Sequence, residues 1–212
     1  MTETREVSVR DLIGGGYNEF FRFRGRYLVC KGSRASKKSK TTALRWIIKM
    51  MQYPTANLLC MRKVASTLHD SVFADLKWAI NKIGVQDFWS WKESPLEMTY
   101  KPTGQKVLFR GCDDSLKLAS ITVDTGSLCW CWLEEAYELT SEDDFNLIDE
   151  SIRGEVAEGL YKQIVITFNP WNERHWLKKR FFDTPNDENK LAMTTNYLCN
   201  EWLDENDRAL FE

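Results

Sequence analysis

Tyr27-Leu-Val-Cys-Lys-Gly-Ser-Arg-Ala-Ser-Lys-Lys-Ser-Lys-Thr-Thr-Ala-Leu44 runs from an apolar, strand-forming segment through a turn opening at Gly32 into a helix. Leu44, Ile47, Ile48 and Met51 share one predicted face of that helix. Strand, loop and helix in this order are what a phosphate-binding loop needs. The loop matches G-x-x-x-x-G-K-[ST] at Gly32, Lys38 and Ser39 and departs from it at Lys37, where glycine is usual. Backbone N–H groups of Gly32, Ser33, Ala35, Ser36, Lys37 and Lys40, at and before a helix N-terminus, would face anionic oxygens. Lys38 would reach the outer phosphates and the Ser39 hydroxyl would hold Mg2+. Glycine permits positive φ and close approach of backbone to ligand, so Lys37 raises the question of whether this loop takes the binding shape. On these residues alone a second register, Lys40-Thr41, stays open, as does a plain basic turn leading into a surface helix.

Outward from the loop, the chain has 212 residues, enough for one substantial core and most simply a single domain. It lacks a signal-peptide pattern and a long apolar run, so a soluble, intracellular protein is expected. The six cysteines show no C-x-x-C pair; Cys30, Cys60, Cys129 and Cys131 fall in expected strands as small hydrophobes. Net charge is −2, but it is segregated. From Phe20 to His69 there is no acidic residue, whereas from Glu134 to Glu158 Arg153 is the one cation. A polyphosphate and a metal ion between a basic loop and an acidic strand end would suit this division, although solvated faces produce it too.

Residues 1–16 end in Gly14-Gly15-Gly16 and read as a flexible lead-in; the aromatic run 17–23 is a core plug or a base-side wall. Residues 57–63 read as a buried strand. Ser66 is the expected cap of a helix ending at Gly84. Segments 96–101 and 105–110 flank Pro102-Thr103-Gly104 as an antiparallel hairpin. The second anchor is Ser127-Leu-Cys-Trp-Cys-Trp-Leu133, apolar enough to be buried on both faces and ending in Glu134-Glu135. Glu134 would serve the metal and Glu135 would orient and deprotonate a water, the pattern of a Walker B strand; a surface pair of acids is the plainer alternative. Ser141 is placed to cap a helix through Ile152. Residues 163–168 form another buried strand, and Thr167 and Asn169 at its end could sense a γ-phosphate. Residues 172–182 read as a helix, 191–198 as a last strand and 201–212 as the start of a further helix.

In order, Lys31-Gly-Ser-Arg-Ala-Ser-Lys-Lys-Ser39, Met61-Arg-Lys63, Phe109-Arg-Gly111, Leu133-Glu-Glu-Ala136, Thr167-Phe-Asn-Pro170 with His175-Trp176, and Asn196-Tyr-Leu-Cys-Asn200 resemble the N-terminal ATPase domain of the large terminase subunit of tailed bacteriophages and prophages. The resemblance implies an α/β P-loop NTPase of the ASCE type, with a mostly parallel central sheet flanked by helices and an antiparallel edge hairpin. It implies ATP and Mg2+ as cofactors and fixes the register at Lys38 and Ser39. Arg34 would act on the phosphates from the same subunit, Glu135 would be the catalytic carboxylate, Glu134 and Ser39 the metal side, and Thr167 with Asn169 the coupling motif. The implied work is translocation of double-stranded DNA into a procapsid, with portal protein and small terminase subunit as partners, self-assembly into a ring, no membrane, and the host cytoplasm as location. Arg110, Lys117 and Arg153 are the candidates for a cation supplied to a neighbouring subunit. The resulting division is a lead-in over 1–16, the ATPase domain over 17–200 and a linker start over 201–212, with no nuclease activity expected of this chain. A helicase-like translocase and a weakly catalytic module that docks packaging partners are the competing readings.

Overall fold

The computed structural model describes residues 8–112 and 121–211. In chain order the longer elements are α1 (Val9–Ile13), α2 (Asn18–Arg22), β1 (Tyr27–Gly32), α3 (Lys38–Gln52), β2 (Ala56–Arg62), α4 (Ala74–Ile83), β3 (Trp89–Glu93), β4 (Leu96–Tyr100), β5 (Gln105–Gly111), β6 (Ser127–Glu134), α5 (Glu142–Ser151), β7 (Gln163–Phe168), β8 (Lys190–Thr195) and α6 (Glu205–Ala209). The strands form one sheet in the order β3-β4-β5-β2-β6-β7-β1-β8. From β5 to β8 every pairing is parallel, and only β3–β4 and β4–β5 are antiparallel. Together with the flanking helices this is the α/β P-loop architecture that the sequence predicts.

The central strands are buried along nearly their whole length, as strands covered on both sides must be. Alternate residues feed two cores. Leu28, Cys30, Leu58, Cys60, Trp130 and Trp132 pack on the side of α1 to α4, with Trp46 and Ile47. Val29, Leu59, Met61, Cys131, Leu133 and Ile166 pack on the other side against Phe145, Ile148 and Phe181. Each of these larger apolar side chains contributes about 1.5–3 kcal/mol through burial. α3 is buried on most of its circumference, so its true contact surface includes Trp46 and Met50, while Ile48 and Met51 are only half-buried. Arg45 is fully buried on the same helix, where it donates to the carbonyl oxygens of Phe20 and Phe23 and to Gln163 Oε1. Those bonds fix α3 to the end of α2, so the loop that precedes α3 starts from a rigid base.

The structure departs from the sequence reading in several places. The lead-in expected over 1–16 contains α1, with Ile13 buried; residues 1–7 lie outside the described residues. Gly14 has φ +67, and a Cβ there would fall 2.2 Å from Glu201 Oε1, so the glycine permits close packing rather than a mobile link. The aromatic run holds Tyr17 and Phe20 wholly in the core, as a plug. Ser66 makes no capping bond: a 3-10 turn (Ala65–Thr67) and a π-helical turn (His69–Phe73) lead into α4 instead. The hairpin gains a third strand, β3, whose one buried residue is Trp89. Residues 172–175 are not helical; a π-helical turn over Lys178–Phe182 carries Phe181 inward. β8 stops at Thr195 and a 3-10 turn over Tyr197–Cys199 follows. Ser141 does cap α5, its oxygen accepting from the backbone N–H groups of Asp143 and Asp144.

Candidate functional site

The loop after β1 lies at the carboxyl ends of the parallel strands, where open α/β sheets bind ligands. β7 lies between β1 and β6, so the ends of three adjacent strands face α3. Gly32 closes β1 beside Thr195: a Cβ would come within 2.4 Å of Thr195 Oγ1 and 2.8 Å of Ser36 Oγ. Ala35 and Lys37 adopt positive φ, 62° and 55°, in the left-handed region that glycine favours.

 The loop therefore takes its turn without the second glycine, and tertiary contacts hold it there. Tyr17 donates its hydroxyl to the Ser36 carbonyl at 2.5 Å, and Asn200 donates Nδ2 to the Ala35 carbonyl at 2.7 Å.

Lys37 points away from the mouth of the loop. Its side chain is 1% exposed, its ammonium is paired with the Glu201 carboxylate, and it lies 4.8 Å from the Trp202 ring centroid. The domain boundary expected at 200/201 falls inside this cluster, because the segment after β8 packs directly on the loop. Glu201→Gln is expected to destabilise the fold by roughly 1–3 kcal/mol, because a buried ammonium then loses its counter-charge. That is a fall of several degrees in Tm, read by thermal denaturation.

Lys38 and Ser39 turn the other way, toward the strand ends. Lys38 Nζ donates to Asn169 Oδ1 at the end of β7, and Ser39 Oγ donates to Glu134 Oε1 at the end of β6 over 2.8 Å. The alternative register is engaged elsewhere: Lys40 pairs with Asp75 of α4 at 2.7 Å, and Thr41 is buried. Glu135 follows with φ +50 and is half-buried. The turn after it is tied down at 2.9 Å by Arg62 on Glu138 and at 2.7 Å by the Trp176 indole N–H on the Leu139 carbonyl. The His175 ring lies 4.9 Å from that of Tyr137.

Of the expected coupling pair, Asn169 reaches the loop, whereas the Thr167 hydroxyl accepts a hydrogen bond from Trp132 Nε1 inside the sheet. Arg34 lies exposed on the loop. Arg110 donates to the Phe109 carbonyl, Arg153 is exposed beyond α5, and Lys117 lies outside the described residues. Sequence reasoning missed Tyr17, Asn200 and Glu201 as supports of the loop, and the Trp202 ring beside Lys37. The carboxylate partners of Arg62, Glu134 and Glu138, likewise emerge only from the fold.

Glu134 is 6% exposed. Burial, then the neighbouring Glu135 carboxylate, pushes its pKa up to about 7, against the downward pull of Ser39, Arg62 and Lys38. Between its ordinary value of 4.5 and about 7, the folded chain holds a proton that the unfolded chain releases. This group's contribution to stability therefore falls as pH rises through that window and is constant above it. In metal-free protein, Glu134→Gln is expected to flatten the decline in Tm across that range, measured as the difference between variant and parent. The Ser39 hydroxyl and the Glu134 carboxylate are hard oxygen donors already side by side, and such a pair suits Mg2+, which binds one or two carboxylates and keeps other positions for phosphate and water.

The family model described as phage terminase large subunit matches residues 24–212. The chain belongs to that family. The terminase large subunit of Bacillus phage SPP1 is 34% identical over 177 residues, which cover 82% of this chain and 42% of the SPP1 protein. The chain thus spans less than half the length of that relative. The large terminase of the thermophilic bacteriophage D6E superposes with a TM-score of 0.71 at 16% identity, over 98% of this chain and 50% of that one. A structure of the D6E protein in complex with ADP gives 0.68 at 16% identity, over 97% and 49%. At these identities the structural likeness establishes the shared fold. Among the described residues no helix is long and apolar enough to cross a membrane.

Proposed function

We propose that this chain is the ATPase motor domain of a terminase large subunit, hydrolysing ATP to move double-stranded DNA into a procapsid. The observation that carries this reading is the convergence of Lys38 with Asn169 and of Ser39 with Glu134 across the ends of neighbouring strands. Membership of the terminase family supports the biological direction of the work, and the D6E protein's complex with ADP supports the choice of nucleotide.

In this reading the N–H groups of residues 32–40 and the Lys38 ammonium hold the phosphates. Ser39 and Glu134 would hold Mg2+, which when bound would neutralise charge on the phosphoryl oxygens. Glu135 accepts the proton of the attacking water, and Arg34 swings from its exposed position to meet charge on the transferred group. Asn169 exchanges Lys38 for the terminal phosphate or its water, and so reports the nucleotide state to the segment that also carries Trp176. Portal protein, the small terminase subunit and further copies of this chain in a ring are the proposed partners, and the host cytoplasm is the proposed location.

The test is release of inorganic phosphate from ATP with Mg2+, with and without double-stranded DNA. Mg2+-dependent release that duplex DNA stimulates, without strand separation, supports the motor. Unwinding of the duplex would favour a helicase-like translocase, and failure to bind ATP would remove the ATPase reading.

A further inference from the structure

We propose that Trp202 forms the wall against which the nucleotide base packs; the inference rests on the nucleotide reading above and adds the part of the ligand that the loop itself does not hold. The direction of the bound molecule follows from the site. Lys38 on Asn169 and Ser39 on Glu134 mark the end where the terminal phosphate reacts. The rest of the nucleotide must extend away from that end, and a cavity of about 300 Å³ joins the loop, Lys38 and Ser39 included, to Asp75, Asn200 and Trp202.

Trp202 is suited to this position in three respects. It is 39% exposed, so part of its surface is free to meet a ligand. Its backbone N–H donates to Asn200 Oδ1 at 3.1 Å, and Asn200 in turn donates to the Ala35 carbonyl at 2.7 Å, so the ring is referenced to the phosphate loop through one side chain. The ring also packs against Trp78 at 5.6 Å and beside the Lys37 ammonium at 4.8 Å, while Lys40 lies 4.6 Å from the Trp78 ring. The surface is thus pre-formed, and little ordering is needed when a flat base arrives. An aromatic ring offers stacking to any base, because every base has a π-face. This arrangement also gives the Lys37–Glu201 pair a purpose: by fixing Glu201 to the loop, it fixes the residue that follows.

Calorimetry on the 212-residue chain separates the base wall from the phosphate loop by using two probes, MgATP and inorganic tripolyphosphate, which has no base. Trp202→Ala is expected to weaken MgATP binding roughly tenfold while leaving tripolyphosphate unchanged, and Trp202→Phe to retain most of the MgATP affinity. Lys38→Ala is expected to weaken both probes. Equal losses for both probes in Trp202→Ala would overturn the base contact and leave Trp202 as a support of the loop; no loss for either would overturn it as well. If Lys38→Ala leaves MgATP binding intact, it is the nucleotide reading of the loop that fails, which distinguishes the two.

Discussion

Glu135→Gln is expected to abolish ATP turnover while leaving nucleotide binding measurable. The amide keeps the size and shape of the side chain but cannot take a proton from water, a loss that costs typically 10²–10⁴-fold in rate for a positioned general base. The surrounding structure gives no reason for the variant to misfold. Residue 135 is half-buried, and its left-handed backbone is imposed from outside, by Arg62 on Glu138 and by the Trp176 indole on the Leu139 carbonyl. Nucleotide affinity depends on Lys38, Ser39 and the loop N–H groups, none of which the substitution touches. Phosphate release and calorimetry on the same preparation give both halves of the result. Unchanged turnover removes Glu135 from the role of base and shifts attention to Glu134, whose carboxyl, pushed up to about 7, is partly protonated near neutrality without metal.

Lys38→Ala is the second large effect, and it acts on binding. The ammonium is nearly buried; among the described residues it donates to a neutral amide, Asn169 Oδ1, and the Glu134 carboxylate is close enough to interact with it. A nearly buried cation hydrogen-bonded to a neutral amide is poised to gain from an arriving polyphosphate, since charge-assisted hydrogen bonds contribute about 1.5–3 kcal/mol each. Loss of more than one such bond is expected to weaken MgATP binding by about 10²-fold. Thermal denaturation should show little change or a slight gain, because the substitution also removes a desolvated charge. Binding within a few-fold of the parent would mean that the phosphates do not meet Lys38, and the register of the loop would need to be assigned again.

Much of this site was legible in the sequence because its signals are local. Gly32, Lys38 and Ser39 are spaced along one turn, and Glu134-Glu135 terminate a strand whose apolar character extends over the seven residues before them. Hydrophobic periodicity and turn chemistry are properties of a few consecutive residues, so they survive without knowledge of the fold. β3 was harder. It is short and four of its five residues are exposed, so it lacked the buried run that marked β6 and β7. The helix expected over 172–182 failed for a related reason: Asn169-Pro170 and the residues after it turn across the strand ends before helical bonding begins at Trp176.

The sequence by itself determined the strand, loop and helix around Gly32, the acid pair, the alternation of strands with helices and the family to which they belong. The tertiary structure alone decided how the loop holds its shape without a second glycine. Lys37 meets Glu201 and Ala35 meets Asn200 across more than 160 residues of chain, and both contacts exist because β8 pairs with β1 and delivers the segment after it onto the loop. Strand order is set by the packing of both cores at once, a global balance of burial that no local pattern encodes. For the same reason Asn169, at the end of the strand between β1 and β6, could be placed on Lys38 only by the fold.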